Sequence, residues 1–111
     1  MKFKSIIFIP LVLLFCSEAM AGSKGTIGWI EMGPNYGQKI FFKIIGTNSQ
    51  SSCVSAGNYN YVLDNTNNVH AATVSAILAA KAAKQTVSVS GYGNCDLYDG
   101  VETLRWFRVE N

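Results

Sequence analysis

Apolar and polar positions along this chain follow two different periods. In "QKIFFKII", residues 38–45, side chains alternate: Ile40, Phe42 and Ile44 take one face, and Lys39, Phe41, Lys43 and Ile45 take the other. That period of two predicts a strand. The same vocabulary returns in "GTIGWIEM" (25–32), where Gly28 marks a bulge or a close approach of another backbone. In "YNYVLD" (59–64), Tyr59, Tyr61 and Leu63 alternate with Asn60, Val62 and Asp64. "TVSVS" (86–90) buries Val87 and Val89 and exposes Ser88, and "VETLRWFRV" (101–109) makes the last strand. "GPNYG" (33–37) is turn chemistry that joins the first two strands as a hairpin, and 46–58 is a polar loop. "GYGNC" (91–95) turns the chain, and "CDLYDG" (95–100) forms a polar tip.

The period changes once, in the alanine-rich run 69–84. Alanine has the highest helix propensity, and Asn67 or Asn68 supplies the N-cap. Ala71, Val74, Leu78 and Ala82 form a narrow apolar stripe with Ile77 on its flank, while Thr73, Ala80 and Lys84 lie opposite. The element order is therefore three strands, a helix and two strands. An OB-fold places its helix between strands three and four, where it closes one end of a five-stranded barrel. The expected fold is mainly β: a small five-stranded OB-like barrel with one helix between strands 3 and 4 and one disulfide. The rival is an open α+β sheet with the helix across one face.

The ends and the charge set the compartment. Lys2 and Lys4, the apolar stretch 5–15 and Ala19-Met20-Ala21 make residues 1–21 a secretory signal peptide, with 22–111 as a single domain of 90 residues. The apolar stretch is too short for a membrane span. Phe15 before Cys16 does not suit lipidation, so the expected product is secreted or periplasmic. Without Lys2, Lys4 and Glu18, seven basic and six acidic side chains remain. Such a balance gives no strong field for nucleic acid or an anionic membrane. Cys53 and Cys95 survive processing, and an isolated pair in a small exported domain reads as a disulfide. Closing a loop of about 43 residues contributes roughly 4 kcal/mol in the chain-entropy account.

Catalytic chemistry finds little footing, and the expected protein is not an enzyme. His70 is the single histidine and sits at the helix start, without partners for a metal; no metal and no cofactor are expected. Asp96, Asp99 and Glu102 lack the ladder of a calcium loop and read as a solvated turn. Gly91-Tyr92-Gly93 opens no helix, so it is not a phosphate loop. Binding is better served. The aromatics outnumber what a thin barrel should bury, with Phe42 and either Trp106 or Phe107 assigned to the core. Tyrosine beside asparagine in "GNYNY" suits a sugar, which makes Tyr59, Asn60 and Tyr61 the first candidates for ligand contact and Trp29 the next.

An exported chain of this size, ordered β-β-β-α-β-β, with one disulfide and a helix ahead of a strand, resembles the B subunits of AB5-type bacterial toxins. The resemblance implies an OB-fold that assembles as a ring, binds cell-surface glycans and serves a catalytic A subunit. No residue motif accompanies the layout, so no site residue is carried over from it. The functional expectation is a non-catalytic, homo-oligomeric glycan-binding module; the alternative is a periplasmic or secreted protein-interaction module, an inhibitor or assembly partner on the same scaffold. A single-strand nucleic-acid binder would use similar aromatics but needs a basic groove.

Overall fold

A computed structural model describes residues 22–110; the expected signal peptide, 1–21, lies outside the described residues. Five strands and one helix follow in order: β1 (Gly22–Glu31), β2 (Lys39–Ser49), β3 (Tyr61–Asp64), α1 (Asn68–Ala83), β4 (Val87–Gly91) and β5 (Glu102–Val109). Their spatial order is β1-β2-β3-β5-β4, and β4 returns to pair with β1, so the sheet is closed. All pairings are antiparallel except β3 with β5, which meet in parallel over Tyr61↔Glu102 and Val62↔Thr103. This is an OB-like barrel with its helix between strands 3 and 4. Among the described residues, no helix is long and apolar enough to cross a membrane.

The first hairpin is longer than its alternation pattern suggests. Gly22–Gly25 pair with β2 on one side and β4 on the other, which extends β1 toward its start and β2 out to Ser49. Gly25 faces Gly46 across this hairpin, and a Cβ on Gly25 would lie 2.1 Å from the Ile45 carbonyl oxygen. The two backbones can approach only because neither residue has a side chain. Gly28 is indeed the bulge, falling at the register shift between Ile27 and Trp29. There the close neighbour is a side chain rather than a backbone: Ile45 lies where a Cβ of Gly28 would sit.

Helix α1 starts at Asn67, whose side-chain oxygen accepts the His70 N–H at 2.9 Å. It stops at Lys84, which adopts the left-handed conformation (φ 55°). Its inward face differs from the expected stripe. Val74, Ile77 and Ala80 are buried, whereas Leu78 is 44% exposed and Ala71 and Ala82 are exposed. Alanine on every side gives the helix almost no apolar contrast, so the pattern cannot fix its rotation. The barrel does so, because Ile77 fills its end and Ala80 leaves room for close approach.

Inside the barrel, Ile27, Ile40, Phe42, Ile44, Tyr61, Leu63, Val87, Val89 and Leu104 meet the helix side chains in one core. Phe107 packs against this core, and Trp106 faces out, which settles the choice between them. Ser88 is buried rather than exposed, since its strand has neighbours on both sides and its hydroxyl donates to Glu110. Ile77→Ala is expected to cost about 2–5 kcal/mol in urea unfolding, as for other large-to-small core changes. Leu78→Ala should cost less than about 1 kcal/mol. Equal losses at the two positions would contradict the observed rotation of the helix.

Candidate functional site

Of the four residues that the sequence singles out, two lie inside. Tyr61 is fully buried, with its hydroxyl 2.9 Å from Ser23 Oγ. Burial pushes its phenol up to about 12, with the Glu102 charge adding to the effect. Asn60 is buried as well. Its amide donates to Gln50 Oε1 at 2.7 Å and accepts the Ile44 N–H at 2.6 Å, while its backbone N–H reaches the Phe42 carbonyl. It extends the β2–β3 ladder by side-chain mimicry, so neither residue is presented to a ligand. The alternation around Tyr59 was legible, but the side that faces the core could be set only by the barrel. Tyr59 is half-buried and its hydroxyl donates to Glu31. Only Trp29 is exposed, and its indole N–H donates to the Asn58 carbonyl at 3.0 Å.

The surplus aromatics mostly build a second, outer core. Phe41, Val62 and Val101 sit outside the barrel yet are fully buried. The rings of Tyr36, Tyr59 and Tyr98 surround Phe41 at centroid distances of 4.7, 5.1 and 4.8 Å. Leu97 and Tyr98 belong to this packing, so the segment expected as a polar tip is instead folded down onto the sheet. Two loops cover the cluster, those joining β2 to β3 and β4 to β5. They are tied by the Cys53–Cys95 disulfide and by the Ser55 and Ala56 N–H groups, which both donate to the Gly100 carbonyl at 3.0 Å. Glu31 anchors the rim by accepting from Tyr59 and, at 2.9 Å, from Tyr36. The Tyr59 bond, then the Tyr36 bond, holds the Glu31 carboxyl below its ordinary value, and both phenols are pushed up in return.

A cleft of about 430 Å³ opens beside this cluster, between the start of α1 and β5. Tyr92 and Trp106, 60% and 39% exposed, supply its aromatic surfaces. Arg105 and Thr103 come from β5, Asp64 from the end of β3, Thr66 from the turn after it, and Val69, His70 and Thr73 from the first turns of α1. His70 Nδ1–H donates to the Asp64 carbonyl, which fixes the imidazole against this wall. The ladder explains the outward ring. Ser90 pairs with Trp106 and Gly91 with Leu104, so Arg105 is the extra residue of a bulge. A bulge re-aims side chains, and here Arg105 and Trp106 are both exposed. A trace of this was readable: Leu104 and Phe107 stand three apart, a fault in strict alternation. Tyr92 gave no signal beyond a turn between two glycines.

Such a cleft offers ring faces for apolar surface and a carboxylate, a guanidinium and hydroxyls for polar groups, the usual composition of a small-molecule site. Among the described residues no group of three or more His, Cys, Asp or Glu is placed to hold a metal.

The Glu31 contacts generate a pH dependence. A carboxyl whose folded value is lowered adds stability above its unfolded value, here near 4.5, and loses it as pH falls through the folded value. Tyr59→Phe is therefore expected to lower the urea midpoint at neutral pH, with the gap from the parent protein narrowing as the pH falls below the ordinary carboxyl value near 4.5. A gap that stays constant with pH would remove Glu31 from the account.

Comparisons with known protein families, with curated proteins and with solved structures return no match to this chain.

Proposed function

We propose that this chain is an exported, non-catalytic binding module that recognises glycans on another surface, and that it works as an oligomer in the manner of a toxin B subunit. The observation that carries the reading is the cleft in which the exposed rings of Tyr92 and Trp106 stand beside Asp64, Thr66, His70 and Arg105. A pyranose has apolar C–H faces and a rim of hydroxyls. Flat rings take up the faces, and fixed donors and acceptors read the rim. The disulfide is consistent with an oxidising, exported location.

Size supports the oligomer. A single cleft of this volume holds little more than one or two sugar units, and a weak site becomes useful when several copies engage one surface together. The exposed Trp29, Met32 and Ile45 on the first hairpin offer apolar area for such contacts. They equally favour the second reading, a protein-interaction module, in which this hairpin rather than the cleft is the working surface.

The two readings separate in one experiment. Trp106→Ala should lower binding on a glycan array by about tenfold or more, as for other central aromatic anchors, without shifting the mass measured by light scattering. Trp29→Ala, on the face offered for contacts between copies, should lower the mass and the avidity on the array while each cleft still binds a soluble sugar with unchanged affinity. A monomeric protein that is silent on a broad array, with Trp29→Ala abolishing capture of a protein partner, would favour the interaction module.

A further inference from the structure

Glu102, expected in a solvated turn, is completely buried. Its two carboxylate oxygens accept from two different loops: Oε1 from the Ser51 N–H at 2.9 Å and Oε2 from the Gly93 N–H at 3.0 Å. The loops also touch directly, since the Ser51 hydroxyl donates to the Gly93 carbonyl at 3.1 Å. Ser51 and Gly93 each stand two residues before a half-cystine, Cys53 and Cys95. Both links therefore span 42 residues and close nearly the same length of chain. The glycines on either side of Tyr92 serve this arrangement. A Cβ on Gly91 would lie 2.2 Å from Glu102 Oε2, and Gly93 takes a left-handed φ of 84° where its N–H meets the carboxylate.

We infer that Glu102 is a second staple, which holds the two loops and the Tyr92 wall of the cleft in place whether or not the Cys53–Cys95 bond is formed. The physical reason is loop closure. Once one link has drawn the two segments together, the other closes almost no additional chain, so either suffices to remove that entropy. Charge-assisted bonds to a buried carboxylate are also the strong class of backbone hydrogen bond. Tyr92 lies between the residue that Glu102 packs across and the residue whose amide it holds. Glu102 is thus a positioning residue for the cleft and does not touch a ligand. The importance of the cleft rests on the glycan reading; the staple does not.

The test compares four forms of the purified protein: parent, Cys53→Ser/Cys95→Ser, Glu102→Gln, and all three changes together. Glutamine keeps the shape of the side chain but turns an NH2 group toward one of the two amides, so one bond is lost. With the disulfide removed, the Ser51 and Gly93 amides should stay protected from hydrogen exchange. In Glu102→Gln with the disulfide intact, one of them should exchange about tenfold faster or more, matching the loss of a charge-assisted bond. The combined variant should be destabilised by more than the separate losses added together. Additive losses, or unprotected Ser51 and Gly93 amides in the disulfide-free form, would overturn the inference.

If Glu102→Gln does not fold, the parent protein reduced by a phosphine decides alone. The phosphine takes up oxygen from water as the disulfide yields two thiols. Protected amides in the reduced protein uphold the staple, and intrinsic exchange rates refute it. Glycan binding is read in the same samples. Protection without binding in any form would retire the glycan reading and leave the staple standing, whereas amide protection and binding lost together on reduction would refute the staple.

Discussion

The barrel closes through two residue pairs. Strands β3 and β5 meet in parallel only at Tyr61↔Glu102 and Val62↔Thr103, whereas β1 and β2 share a ladder along almost their whole length. A seam that short cannot hold a ring shut by ladder hydrogen bonds alone, and parallel pairing is slightly the weaker kind. What flanks the seam makes up the difference. Tyr61 is anchored inside against Ser23, Val62 lies under the outer aromatic cluster, and Glu102 gathers the loops above. Fully buried residues on both sides of the seam follow from the same need.

The outer cluster changes the meaning of the aromatic content. Rings beyond the needs of one core suggest exposed ligand platforms, and strand alternation puts Phe41 on an outer face. Phe41 does point out of the barrel, but two cross-linked loops cover it and turn the surplus into a second core. A domain this small gains much from such an arrangement, because its barrel interior by itself buries little surface. The number of aromatic residues therefore says little about ligands. Two rings, Tyr92 and Trp106, remain open beside polar groups.

Cleft and fold share their parts. Leu97 packs on the outer cluster and also lines the cleft, and Thr103 belongs to the seam and to the cleft wall. The bulge at Arg105 turns a strand that closes the barrel into one that also presents a ring to solvent. A surface of this kind is held by closely packed neighbours on its inner side, which keeps the rings in place before any ligand arrives and lowers the ordering cost of binding.

What the sequence by itself determined were the properties that depend on near neighbours along the chain. Strand and helix periods, an asparagine cap at 67 or 68, a bulge or close approach at Gly28 and the inward set Ile40, Phe42 and Ile44 all come from local sterics and alternation, and the structure selects Asn67 and the bulge. The order of elements and the even pair of cysteines pointed to the OB-like barrel and its disulfide, and the pairing of β4 with β1 and of β3 with β5 decided against the open sheet. The tertiary structure decided everything that needs a partner far away in the chain. It rotated the alanine-rich helix so that Ile77 and Ala80, rather than Leu78, face the core, since a helix with apolar residues all round has no preferred side until a barrel end is offered to it. It turned Asn60 and Tyr61 inward and made a buried staple of Glu102. A carboxylate or an amide looks solvated in a sequence, and only the backbone amides brought to it from other loops make its burial tolerable.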